Sequence, residues 1–174
     1  MQRIMIIGAP GSGKSTLARA MADRLGLPVH FMDHIHWKPG WVERDPAEKT
    51  EMVRAVIAQE AWVFEGGHST TYAERLARAE LLIWLDMGLS LRIWRVIRRS
   101  LRDHGRVRPD MQVDCPETLS MMPDFLAFIW TTRHTSRARM QALYESATIP
   151  KHHFRNLHQV QAYLATLDPT GETA

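Results

Sequence analysis

The chain has 174 residues, 45% of them hydrophobic and 24% charged, which suits one globular domain with its own core and excludes a disordered or fibrous chain. The formal charge is +3 and the isoelectric point is near 9.3, a mildly basic balance that implies an anionic partner without choosing between a nucleotide and a nucleic-acid backbone. One cysteine, Cys115, allows no internal disulfide, and the apolar runs at 4–7 and 81–85 are too short for a signal core or a bilayer span; a cytoplasmic protein with no membrane partner is expected.

In chain order, Arg3 to Ile7 is a short apolar run and reads as a buried strand, followed by a glycine-rich loop at 8–13. Leu17, Met21 and Leu25 share one face of a helix from Ser15 to Leu25, which Gly26 stops. A second strand covers Pro28 to Met32, and Asp33 to Arg44, containing Pro39 and Gly40, reads as a loop. Asp45 caps the next helix, Pro46 suits its first turn and Glu48 completes a capping box, with Met52, Val53, Val56 and Ile57 as apolar positions. Ala61 to Phe64 is a third strand closed by Gly66 and Gly67, and a short helix from Tyr72 to Ala79 leads to a fourth strand, Leu81 to Leu85.

Ser90 is placed to cap an arginine-rich helix ending near Gly105. Pro109 to Pro116 is a loop, and helix resumes before Pro123 and again from Asp124 to about Ser146. His152 to Phe154 is a fifth strand, Asn156 caps a last helix through Leu167, and 169–174 reads as a frayed tail. Strands alternating with helices predict an α/β fold: one parallel sheet covered on both faces, with right-handed crossovers and ligands at the carboxyl ends of the strands.

The segment Gly8-Ala9-Pro10-Gly11-Ser12-Gly13-Lys14-Ser15, followed by Thr16, matches the pattern G-x-x-x-x-G-K-[ST] between a strand and a helix. The glycines let successive backbone N–H groups point at one anion, and the following helix adds its dipole. Lys14 is expected to reach the β- and γ-phosphates of ATP, and the Ser15 hydroxyl to ligate Mg²⁺.

The loop at 8–16, the stretch Met32-Asp33-His34-Ile35-His36-Trp37-Lys38-Pro39-Gly40-Trp41 and the stretch Trp62-Val63-Phe64-Glu65-Gly66-Gly67 together resemble the adenylate-kinase-related proteins labelled DNA topology modulation proteins. The wider relatives are nucleoside-monophosphate kinases, shikimate kinase and gluconate kinase. The resemblance covers nearly the whole chain. It implies one P-loop domain over 1–174, a five-stranded sheet in the order 2-3-1-4-5, an acceptor region near 33–60 and a mobile arginine lid near 98–124. The implied activity is transfer of the γ-phosphoryl group of ATP to a small acceptor. Where these kinases commonly end the third strand with Asp-Gly, this chain has Glu65-Gly66, so Glu65 becomes the metal-side candidate, ranked above Asp86.

Asp33 follows the second strand, where a carboxylate could take the proton of an attacking hydroxyl or bind the metal; the alternative is a turn or capping aspartate. His36, Trp41, Gly66 and Gly67 are the other acceptor-side candidates. His34, His36 and His68 leave open a zinc site, and Trp37 and Trp41 either stack on a ligand or pack the acceptor region. Arg92, Arg95, Arg99 and Arg102 form one helical stripe, and the cluster from Arg92 to Arg108 holds seven arginines against a single acid, Asp103. Arg98, Arg99 and Arg102 are the expected lid residues, with Arg133 and Arg137 closing from a later helix. Asn156 is expected beside the nucleotide base. The rival reading is a nucleotide-switched protein that grips DNA with the arginine stripe, or an ATPase without a small acceptor.

Overall fold

The structure is a computed structural model and describes residues 1–167; the expected tail at 169–174 lies outside them. Its elements are β1 (Arg3–Gly8), α1 (Lys14–Leu25), β2 (Val29–Phe31), α2 (Met32–His36), β3 (Trp37–Lys38), β4 (Val42–Glu43), α3 (Pro46–Ile57) and β5 (Trp62–Glu65). They continue with α4 (Tyr72–Arg78), β6 (Leu81–Leu85), α5 (Leu89–Arg102), α6 (Met122–Ser146), β7 (Lys151–Phe154) and α7 (Leu157–Thr166).

Five strands form one parallel sheet in the order β2-β5-β1-β6-β7. Counting core strands alone, this is the expected 2-3-1-4-5; the labels differ because the small antiparallel pair β3–β4 intervenes. β1 lies between β5 and β6 with Ile6 opposite Glu65 and Gly8 opposite Leu85, so the ends of three strands share one edge of the sheet. β1 and β6 are buried on both faces, the pattern of a sheet covered by helices on each side. One core joins Ile4, Ile6, Ile83 and Leu85 to Leu17 and Met21 of α1 and Val160 of α7. The other joins Met5, Ile7, Phe64 and Trp84 to Val53 and Ile57 of α3 and Met140 of α6. Each such aliphatic side chain contributes about 1.5–3 kcal/mol of transfer free energy.

The stretch 33–44 is not a plain loop. It begins in α2 and continues as a hairpin in which Trp37 pairs with Glu43, and Pro39, Gly40 and Trp41 make the turn. Gly40 and Trp41 both take positive φ there, 78° and 62°. Asp45 caps α3 by accepting from the N–H groups of Ala47 and Glu48. The capping box does not close, because the Glu48 carboxylate turns to Lys38 (2.9 Å) and to Arg44. The N-cap of α5 is Gly88, and Ser90 lies inside the helix. Pro123 opens α6 rather than interrupting it, since a proline in the first turn removes no helical hydrogen bond.

Candidate functional site

The loop between β1 and α1 turns on glycines that must be glycines. Gly11 and Gly13 have φ of 78° and 97°. A Cβ on Gly11 would lie 2.5 Å from the carbonyl oxygen of Arg92, and one on Gly8 would lie 2.7 Å from Ser12 Oγ. Helix α5 supports the loop from beneath: Arg92 Nε donates to the Pro10 carbonyl (2.9 Å) and Arg95 Nη1 to the Ser12 carbonyl (3.0 Å). These two bonds fix the loop carbonyls against α5 and so hold the loop in one shape. Ala9 accepts from the Ser12 N–H at 3.1 Å, which tightens the turn.

At the mouth, Lys14 Nζ lies 3.9 Å from Glu65 Oε2, and Ser15 Oγ donates to Glu65 Oε1 at 3.3 Å. Glu65 is only 2% exposed, and its Oε2 has no hydrogen-bond partner among the described residues. Burial raises its pKa to about 7; Lys14 and Ser15 oppose the rise, and Asp33 and Asp110 reinforce it. A hydroxyl beside an underpartnered carboxylate is a set of hard oxygen donors and fits Mg²⁺ better than a soft metal. Thr16 follows on an exposed position of α1.

Asp33 sits in the first turn of α2, where its charge acts on Glu65, His36 and Arg99. Gly66 holds φ at 108°, and a Cβ there would meet Met32 Cβ at 2.4 Å, so β5 and α2 touch across it. Gly67 lies against the Tyr72 hydroxyl. The histidines go separate ways. His34 packs edge-on against Phe31, His36 faces Trp37 and lies 3.7 Å from Glu43, and His68 Nδ1 pairs with Thr71 Oγ1 at 3.1 Å.

Four contacts join the segment after α5 to the hairpin. The Gly40 N–H donates to the Asp114 carbonyl (3.0 Å), the Trp41 N–H to Cys115 Sγ (3.3 Å) and the Trp41 indole N–H to the Pro116 carbonyl (3.0 Å). The Cys115 thiol donates to the Lys38 carbonyl at 3.4 Å. Trp41 therefore packs the hairpin against residues 114–116, with Trp37 edge-on to it. Asp110, at the inner end of this segment, accepts from Arg19 (3.1 Å) and Arg108 (2.9 Å).

The expected lid arginines divide by helix face. Arg99 is partly buried; burial and the like charge of Arg108 lower its pKa, and Glu117 lies 3.7 Å away. Arg98 and Arg102 lie on the outer face, Arg98 stacked on Trp94 (5.3 Å) and Arg102 paired with Asp103 (2.8 Å). On α6, Arg133 folds over Trp130 and bonds its carbonyl, while Arg137 makes a two-pronged ion pair with Asp86, which also meets His153 at 3.1 Å. The structure thus gathers Lys14, Ser15 and Glu65, with Asp33 two residues beyond Phe31, which pairs with Glu65, and leaves Arg98, Arg99, Arg102, Arg133 and Arg137 in other contacts. Asn156 caps α7 through Gln159.

Sequence reasoning missed Asp110 and the buried Arg75, whose guanidinium donates to the carbonyls of Phe64 (3.0 Å) and Gly66 (2.7 Å), bracketing Glu65. Burial lowers the pKa of Arg75 to about 10. No local pattern marks either residue. The grip of Arg92 and Arg95 on the loop was visible only as part of a charge stripe.

Residues 4–64 match the family model of the ATPase family associated with various cellular activities (AAA). Shikimate kinase of Paracidovorax citrulli (strain AAC00-1) is 59% identical over 32 residues, a match spanning 18% of this chain and 18% of that protein. Among solved structures, shikimate kinase from Acinetobacter baumannii in complex with shikimate is similar with a TM-score of 0.56 and 18% identity, over 94% of this chain and 91% of that one. Deoxyadenosine kinase from M. mycoides with bound dATP is similar with a TM-score of 0.56 and 13% identity, over 96% and 99%. The chain has the α/β P-loop fold that these kinases share. Among the described residues no helix is long and apolar enough to cross a membrane.

Proposed function

We propose that the chain is an ATP-dependent phosphotransferase that moves the γ-phosphoryl group to a small acceptor held near α2 and the hairpin. The observation that carries this reading is the convergence of Lys14, Ser15 and the buried Glu65 at the end of β5, beneath a lid that joins the hairpin. A bare ATPase has no need of that second wall.

In this reading the loop N–H groups and Lys14 bind the β- and γ-phosphates. Ser15 and Glu65 would hold Mg²⁺, which would supply positive charge to neutralise the phosphate oxygens. Asp33 is placed to accept the acceptor's hydroxyl proton. Arg99, released from Glu117, would neutralise charge on the transferring group from the lid side. Arg92 and Arg95 keep the loop in its binding shape, and Arg75 fixes the strand end that carries Glu65. Lid closure excludes water and so favours transfer over hydrolysis.

The test is ADP release from Mg·ATP, screened against nucleoside monophosphates, sugar acids and other small hydroxylated metabolites. Stimulation by one acceptor class, lost in Lys14→Ala, is the expected result. Equal ADP release with every compound and with none would overturn the reading.

A second reading rests on the outer face of α5, where exposed Trp94 stacks with Arg98 beside Leu101 and Arg102. Such a face could lie along a nucleic-acid backbone. It requires DNA affinity that falls steeply with salt and drops in an Arg98→Ala, Arg102→Ala double variant.

A further inference from the structure

Lys49 of α3 is 5% exposed, and among the described residues its ammonium has one hydrogen-bond partner, Glu43 Oε1 of β4 at 2.7 Å. A lysine nitrogen carries three donors, and burial strips away the water that would serve the other two. Its partner is a surface group, with 59% of the Glu43 side chain exposed. The same Glu43 oxygen lies 3.7 Å from His36 Nε2, at the end of α2. A buried cation and an imidazole thus share one carboxylate oxygen that reaches in from solvent.

The hairpin does not depend on that oxygen. Glu48 of α3 pairs with Lys38 (2.9 Å) and with Arg44. Arg44 Nε donates to the Ile35 carbonyl (2.8 Å), and the Arg44 backbone N–H donates to the His36 carbonyl (2.9 Å). Glu43 can therefore swing away while α2, the hairpin and α3 stay fastened to one another. His36 also comes three positions after Asp33, so the two side chains share a face of α2. An anion seated on Lys49 and His36 would lie within about one helical turn of the carboxylate placed to take the hydroxyl proton.

We propose that Glu43 stands in for an anionic group of the acceptor, and that Lys49 and His36 are the specificity-determining residues that bind this group; the inference rests on the phosphotransferase reading above. The acceptor is then a small hydroxylated compound that bears a carboxylate or phosphate about one helical turn from the hydroxyl to be phosphorylated. An uncharged sugar or polyol offers a buried ammonium nothing in exchange for the carboxylate, and leaves Glu43 in place.

The experiment follows the ring signals of His36, assigned with His36→Gln, in spectra of the ¹⁵N-histidine-labelled full chain. The protein is first saturated with the magnesium complex of the β,γ-imido analogue of ATP, so that the phosphate loop is filled. Inorganic phosphate and acetate are the two probes, and the one that binds more tightly names the group. Glu43→Gln should bind that probe about tenfold more tightly than wild type, because the competing charge is gone. Adding Lys49→Met to that variant should abolish the binding. Equal or weaker binding in Glu43→Gln, or binding that survives Lys49→Met, overturns the proposal, since an ion pair with a purely structural role predicts no gain. Failure of wild type to bind the imido analogue removes the parent reading, whereas ring signals that stay still in Glu43→Gln remove the subsite alone.

The acceptor screen gives a second measurement. The compound that stimulates ADP release should be anionic, and Glu43→Gln should lower its KM about tenfold while Lys49→Met raises it. A neutral compound that stimulates equally well would refute the proposal.

Discussion

The phosphate loop and the lid clasp are both held by hydrogen bonds to backbone carbonyls, yet different things stand behind them. The loop lies between the ends of buried strands and the underside of α5, with Arg92 and Arg95 gripping it and no room at Gly8 or Gly11 for a side chain. The clasp joins two surface segments through four bonds between residues more than 70 positions apart. Each such bond is worth about 0.5–1.5 kcal/mol net, so the clasp can open without disturbing the core. Tight packing belongs to the part that must already be formed when phosphate arrives. Loose stitching belongs to the part that the proposed reaction needs to open.

The sharpest way to break this contrast is Lys14→Ala. It should weaken magnesium-nucleotide binding by about a hundredfold or more, the scale of losing a charged hydrogen bond, with an unchanged circular dichroism spectrum. Near-native affinity would remove the loop from function. Gly11→Ala tests rigidity directly: its Cβ would meet the Arg92 carbonyl at 2.5 Å from a backbone at φ +78°. The expected cost is about 2–3 kcal/mol in denaturant unfolding. A neutral result would show that the loop gives way as easily as the clasp.

Arg95→Ala removes the donor to the Ser12 carbonyl. Nucleotide affinity should fall about tenfold in calorimetry, with little change in melting temperature. Trp41→Phe keeps a ring but loses the bond to Pro116. Opening should become a few-fold more frequent, about 1 kcal/mol, seen as faster Cys115 labelling at unchanged melting temperature. A large drop in melting temperature would mean that the clasp is part of the core. Arg102→Ala, on the outer face of α5, should leave the melting temperature unchanged, because its partner Asp103 is a sequence neighbour at the surface.

Much of the fold was legible because its signals are local. The apolar run at 81–85, the glycine at 26 and the asparagine at 156 each act within a few residues of themselves. The hairpin at 37–43 was hidden because Pro39 and Gly40 mark a turn as readily as a loop, and what holds it is Trp41 reaching Pro116. Ser90 misled because a good capping residue stands two places inside the actual boundary, where a glycine serves. The loop residues at 8–16 were readable from their spacing. The arginines were not, since a helical stripe fixes only their angular position. Arg95 and Arg98 are one turn apart, yet one grips the loop and the other lies on a tryptophan. Asp110 offered no pattern, because its two partners come from residues 19 and 108 and meet only after the lid folds.

The sheet has a further consequence for handling the protein. Its outer strands are β2, with three residues, and β7, with four. Each exposes only a short row of unpaired amides, little template for a stray chain to extend. Concentrated solutions should therefore resist amyloid-like association through these margins, and a dye-binding assay on an agitated sample would check it.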